Sequence, residues 1–302
     1  MVNMMSKILI LLAGIFWGCM GLFVRPLNEK GLSSWDIVFL RAVLTTLFMA
    51  ALLLIKDRKL FKIRLRDLWC FAGTGLLSIV FFNLCYFKEI TITSLSVAAI
   101  LLYTAPAFVM IISAFCFKEK LTVRKILALL LSFTGLIFVT GVFGGSGVEK
   151  LTFSTIMIGL GAGLGYALYS IFSRFAIERG YESYTISFYT FLFATIATLF
   201  FAKPVTVFTA VTSSASSVML AILFVLVSTA IPYITYTLGL KSVENGQASI
   251  IASVEPVVAT LNGIIWFSEK MSWSVALGVV LVLSGIVISN LGKQDKLGKQ
   301  DK

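Results

Sequence analysis

The chain has no histidine, four cysteines and only 13% charged residues in a length of 302. Without histidine a His-dependent catalytic triad is excluded, and without a cluster of acids the common ligand sets for a transition metal are missing too. No metal and no cofactor are therefore expected. Cys19, Cys70, Cys85 and Cys116 sit in apolar stretches at no paired-ligand spacing and read as inert packing groups. So little charge also cannot keep the surface of a soluble fold of this length polar. What fills the chain instead is apolar: 59% of the residues, with a mean hydropathy of +0.99.

These apolar residues fall into ten segments, at about 7–24, 34–55, 67–87, 94–116, 124–143, 153–173, 184–202, 216–239, 246–268 and 273–291. Each approaches the ~20 residues a helix needs to cross the hydrocarbon of a bilayer. Helices are the expected form, because lipid offers nothing to unpaired backbone groups. The first segment lacks a small-residue cleavage site, so it reads as a span rather than a cleaved signal.

The two halves repeat each other. At an offset of 150, Tyr86 meets Tyr236, Ala98 meets Ala248, Pro106 meets Pro256, Phe117 meets Phe267, Glu119 meets Glu269 and Gly135 meets Gly285. At 149, Gly14 meets Gly163, Arg25 meets Arg174 and Gly31 meets Gly180. Five spans per copy is an odd number, so the second copy enters the bilayer from the opposite side. Charge agrees with this. The connection after span two holds Lys56, Arg58, Lys59, Lys62, Arg64 and Arg66, whereas its repeat counterpart holds only Lys203. The connection after span four holds Lys118, Lys120, Arg124 and Lys125 against Lys270 alone. The positive-inside rule then puts both termini in the cytoplasm and makes the net charge of +11 a matter of topology and anionic lipid rather than nucleic acid. The expectation is an all-α polytopic membrane protein of ten transmembrane helices, built as two inverted five-helix repeats over 7–143 and 153–291. A polar cytoplasmic tail, 292–302, follows.

In each copy a span with a central proline leads into Phe-Lys-Glu-Lys-Leu-Thr (Phe117 to Thr122) or Phe-Ser-Glu-Lys-Met-Ser (Phe267 to Ser272), then into a last span bearing Gly135 or Gly285. This pattern resembles the EamA repeat of the drug/metabolite transporter superfamily, and Trp17-Gly18 and Arg41 match that family's habit as well. The resemblance spans about 7–291. It implies a carrier of small organic solutes in the cytoplasmic membrane, an amino acid or similar metabolite, with export favoured over import.

Several positions stand out physically. Pro106 and Pro256 fall near the middles of spans four and nine, where each lacks an amide hydrogen and crowds the carbonyl of Leu102 or Ala252, so each helix is expected to kink, and both prolines are candidate helix breaks. Irregular backbone at that depth is tolerated where it lines a cavity or is buried in protein. Glu255 is deep in span nine, where an acid costs ~2.5–3.5 kcal/mol on insertion scales. Ala252, Ala259 and Asn262 share its helical face. Three roles are open to its carboxyl: carrying a proton, gripping an amine, or a structural hydrogen bond inside the bundle. Arg41 in span two keeps its charge and suits a substrate carboxylate, a structural acid or a gate. Lys88 and Glu89 read as interfacial.

Gly159, Gly161, Gly163 and Gly165 in span six, like Gly14, Gly18 and Gly21 in span one, suit close helix packing better than a nucleotide fingerprint, which needs a preceding strand. The mid-helix aromatics Trp17, Phe82, Tyr86, Tyr103, Tyr166, Tyr169, Tyr233 and Tyr236 are candidates for a solute pocket. The site is expected between spans one, three, four, six, eight and nine. An intramembrane enzyme acting on lipid would want clustered acids at depth or an acid pair near the interface, and a non-transporting membrane partner would not need mid-span prolines in both copies. The expected partners are a small-molecule substrate and membrane lipid, with the chain a monomer or homodimer.

Overall fold

The computed structural model describes residues 2–140, 152–269 and 271–291; the tail 292–302, Lys150, Lys270 and the end of the first repeat beyond 140 lie outside them. The described residues are helical, with no strand among them. Eight helical stretches are long and apolar enough to cross a membrane. The helices at spans five and seven, Val123–Val139 with 17 residues and Ser183–Thr198 with 16, are shorter. At ~1.5 Å per residue the latter covers about 24 Å.

The helix starts follow local capping chemistry. Ser33 and Asp36 form a reciprocal capping box at the start of Ser34–Lys56, and Thr152 and Thr155 do the same for Phe153–Glu178. Thr122 and Ser272, repeat equivalents, each accept the amide hydrogen three residues on at the start of the last span of their copy. The helices before those spans both end at a left-handed residue, Lys118 or Ser268, with φ of 56° and 55°. The duplication is thus reproduced down to single backbone angles.

Spans four and nine are each interrupted, two helices in place of one bent helix. Span four runs Leu95–Leu102, turns at Tyr103 and Thr104, and restarts as Ala105–Phe117. Span nine runs Asn245–Ala252, turns at Ser253 and Val254, and restarts as Glu255–Phe267. The break falls upstream of each proline, so that Pro106 and Pro256 lie in the first turn of a new helix, where a missing N–H leaves no bond unmade. Thr104 Oγ1 donates to the Leu101 carbonyl at 2.6 Å and Ser253 Oγ to the Ser249 carbonyl at 3.1 Å, covering part of the freed backbone.

Glycines carry the two copies onto each other at these breaks. A Cβ on Gly163 would come within 2.8 Å of the Leu101 carbonyl, and one on its repeat partner Gly14 within 2.9 Å of the Ala252 carbonyl. Spans six and one therefore lie directly on the interrupted helices of the opposite copy. Spans three and eight each hold a π-helical segment, Gly73–Val80 and Leu226–Ala230, which coincide under the 150-residue offset. Spans five and ten pack mutually, Gly135 on the Gly278 carbonyl and Gly278 on the Gly135 carbonyl.

One difference between the copies is plain. Span one is interrupted at Cys19 and Met20, between Val2–Gly18 and Gly21–Glu29, while span six is one helix, Phe153–Glu178. Asn262 Nδ2 donates to the freed Gly18 carbonyl at 3.3 Å.

Candidate functional site

Between the broken helices lies a cavity of about 40 Å³, room for no more than a few waters. Its wall comes from spans one, three, four, six, eight and nine. Spans two, seven, five and ten contribute none of its lining and brace it from outside.

Glu255 is the charged group in the lining. It opens the second half-helix of span nine, at the positive end of that helix's dipole, which favours an anion there. Tyr166 donates its hydroxyl hydrogen to Glu255 Oε2 at 2.6 Å. Trp17 stands beside it, with ring centroids 5.3 Å from Tyr233, 5.2 Å from Tyr236 and 6.5 Å from Tyr166. Tyr169 packs on Tyr233 at 4.8 Å and Phe82 on Tyr166 at 5.7 Å, both edge to face. Rings meeting at steep angles make walls rather than a stack. The Trp17 indole N–H is buried and has no hydrogen-bond partner.

Of the residues picked from the sequence, Trp17, Phe82, Tyr103, Pro106, Tyr166, Tyr169, Tyr233, Tyr236 and Glu255 line this cavity together. Tyr86 lies behind it, stacked on Phe82 at 5.6 Å. Pro256 is buried but outside the lining, and Asn262 sits at the interruption of span one instead of the cavity wall. Arg41 is 5% exposed and outside the lining. Its Nη1 reaches Met20 Sδ at 3.7 Å, its Nε has no partner, and no ion pair joins it to Glu255 among the described residues. Lys88 is not in the lining, and Glu89 is fully buried, with Oε1 accepting from Thr93.

The hydroxyl groups of Ser78, Ser170, Ser249 and Ser253 complete the lining and were not singled out from the sequence. The i, i+3 pairs Tyr166/Tyr169 and Tyr233/Tyr236 were a legible signal for one helix face each, and Ser170 is hydrogen-bonded to the Tyr236 hydroxyl at 2.7 Å. Short polar residues in apolar helices carry no comparable signal.

A second cluster closes one end of the bundle. Glu119, in the connection after span four, accepts the backbone N–H of Asn245 at 2.7 Å and of Gly246 at 3.0 Å, the first turn of span nine. Arg174 donates to Asn245 Oδ1 at 2.9 Å and to the Val243 carbonyl. Lys125 pairs with Glu244 at 2.5 Å and lies 3.8 Å from Glu119. Burial pushes the Glu119 carboxyl above its ordinary range, against the pull of the two amides and Lys125. The repeat-related end differs. There Glu269 pairs with Arg25, the counterpart of Arg174, at 2.5 Å, both side chains about half exposed. The half-helix Asn245–Ala252 packs on Ala105–Phe117, while Leu95–Leu102 and Glu255–Phe267 make at most a glancing contact.

Comparison with known proteins places these features. The EamA-like transporter family matches the chain twice, over residues 4–141 and 153–291. An uncharacterized transporter of Archaeoglobus fulgidus is 29% identical over 93% of this chain and 94% of its own length. One from Clostridium kluyveri is 27% identical over 93% and 92%, and the uncharacterized transporter YxxF of Bacillus subtilis 23% identical over 93% and 88%. A solved crystal structure superposes with a TM-score of 0.75 at 15% identity, covering 95% of this chain and 96% of that one, a likeness of fold.

Proposed function

Since the chain belongs to the EamA-like transporter family and is a multi-pass membrane protein, we propose that it is a secondary carrier, not an enzyme, that moves a small amine-bearing organic solute through the Glu255 cavity by alternating access. The observation that carries this reading is the one-ended closure. Two repeat-related ends of one molecule hold equivalent carboxylates, yet only Glu119 is bound to the amides of a broken helix. Exchanging the conformations of the two copies puts Glu269 on the amides of Leu95 and Ser96 and frees Glu119, which opens the cavity to the other side. With the termini cytoplasmic, the Glu119 end is the cytoplasmic one and this conformation is closed to the cytoplasm.

The volume of the cavity fits this. At about 40 Å³ it is too small for a metabolite, so the rings around Glu255 must part when solute enters. Glu255 supplies either the proton site of a coupled carrier or the counter-charge of the solute, and export remains the preferred direction from the sequence.

The test is purified protein in liposomes, preloaded with a labelled panel of amines and amino acids and assayed for exchange and net flux. Glu255→Gln should lose net flux. If it keeps exchange but loses pH dependence, the carboxyl couples protons; if it loses exchange, the carboxyl binds solute. Flux and exchange equal to wild type between pH 5.5 and 8.5 removes Glu255 from the mechanism, and no flux of any solute by the wild type ends the carrier reading.

A further inference from the structure

The cavity's charge and its aromatic walls are chemically one-sided. Its lining holds one carboxylate, Glu255, and no Lys or Arg. At each break a helix C-terminus, Leu102 or Ala252, faces a helix N-terminus, Ala105 or Glu255, so the helix-end partial charges oppose one another and Glu255 is left as the formal charge. Arg41 lies outside the lining, near enough for its charge to be felt at Glu255 and Tyr233 but not in the wall, so a solute carboxylate in the cavity would be desolvated with no cationic side chain to hydrogen-bond it there. The rings beside Glu255 meet at steep angles: Trp17 and Tyr233 at 79°, Trp17 and Tyr166 at 67°. Such walls offer π faces to a cation from more than one direction.

We infer that the solute is a small organic ammonium ion, taken as a cation and not as a zwitterion, with its charged head between Glu255 and the rings of Trp17 and Tyr166. This rests on the carrier reading above and narrows its amine-bearing solute to those without a carboxylate. Tyr166, already bonded to Glu255 Oε2, fixes the carboxylate and leaves Oε1 for the ammonium group. The unpartnered N–H of Trp17, a residue 7% exposed, supplies a donor for an oxygen on the solute. An amine carrying a hydroxyl or carbonyl satisfies both groups at once. The carboxylate of an amino acid would take the same N–H only by being buried near Glu255, charge against like charge.

Two pairs of probes isolate this choice: ethanolamine against glycine, and tetramethylammonium against glycine betaine. Each pair shares its cationic head and differs by a carboxylate. Equilibrium dialysis of the detergent-solubilised full chain with labelled cation, competed by each zwitterion, reads binding with no dependence on flux. The expected result is binding of the cations with the zwitterions at least about tenfold weaker, the cost of one unpaired buried charge being well above that step. Glu255→Gln should weaken the cations by about a hundredfold, as loss of a buried charge partner does. Trp17→Phe removes the donor and leaves a ring that attracts a cation more weakly, so it should weaken ethanolamine severalfold more than tetramethylammonium, which has no acceptor. Zwitterions binding as tightly as their cations, or neither cation binding, overturns the inference. A folded Glu255→Gln with wild-type affinity does the same, and if that variant does not fold, Trp17→Phe weakening both cations alike counts against the assigned contacts. Cation binding in detergent with no flux in liposomes would instead sink the carrier reading and leave the cation site standing.

Discussion

Removing the Glu119 side chain should open the end of the bundle that it holds shut. Its carboxylate accepts the N–H groups of Asn245 at 2.7 Å and Gly246 at 3.0 Å, two of the donors that a helix start leaves without an internal partner. Glu119→Ala strands both in the closed form, while the open form gives them water. A buried donor left unmade costs ~1–3 kcal/mol, so the low end for two is about 2 kcal/mol, roughly thirtyfold in the ratio of closed to open molecules. Glu119→Gln behaves differently. It avoids burying a charge but keeps one acceptor oxygen for one of the two amides and turns an NH2 group toward the other, so one donor stays stranded. Because burial raises the Glu119 pKa, the neutral carboxyl suits the closed form better than the charged one. By the same linkage, lowering the pH through that raised value toward the ordinary carboxyl range should favour closure, with Lys125, Glu244 and Arg174 the charged groups that face Glu119. The assay is the labelling rate of a cysteine at Ser249, in the cavity wall, by an impermeant reagent applied to each side of sealed vesicles, with Cys19, Cys70, Cys85 and Cys116 replaced. Labelling from the Glu119 side should rise about thirtyfold in Glu119→Ala and by less in Glu119→Gln, which strands one donor rather than two. Equal rates in Glu119→Ala and the parent, or the same rise in both variants, would refute the reasoning.

Glu269→Ala should act in the opposite sense, slowing labelling from the Glu119 side, because it removes the capping carboxylate of the exchanged conformation, the one open on that side; a shift in the same direction as Glu119→Ala would show that the ends are not paired. Pro106→Ala and Pro256→Ala each restore an amide at a helix restart and should leave the protein inserted but slow its exchange in liposomes, and wild-type rates in both would make the breaks mere packing features. Gly278→Ala places a Cβ within 2.5 Å of the Gly135 carbonyl and should lower Tm through about 1–3 kcal/mol of overpacking, whereas Gly21→Ala, with nothing within 4 Å, should not. Modification from outside intact cells should reach a cysteine at Ser213 and miss one at Lys62; the reverse would invert the assigned topology.

The gross architecture was open to reading because the hydrophobic runs and the duplicated residues constrain it independently. Pro106 and Pro256 marked where spans four and nine are interrupted: a proline forbids a helix interior, and here the chain answers by starting a new helix just upstream of each one rather than by bending. The interruption of span one had a signal in the comparison of copies, since Gly18 and Gly21 become Ala167 and Ser170 in the unbroken span six. Arg41 and Asn262 show where reading by polarity stops. Each is a polar group in an apolar span, yet one lies outside the cavity lining and the other serves a backbone carbonyl, a distinction that depends on which way two helices face each other. Glu119 was legible only as a repeated letter. Its work is done on amides 126 residues away, which no local pattern announces.

The seating of Gly14 and Gly163 on the opposite copy's interrupted helices makes each half a lid for the other's exposed main chain. A truncated product that inserts only one copy would present the carbonyl of Leu102 or Ala252, four residues before a proline that has no N–H to give, to acyl chains that offer no donor. Orphan halves are therefore marked by bare peptide groups at mid-depth, which a membrane protease or an insertion chaperone can detect without any sequence motif.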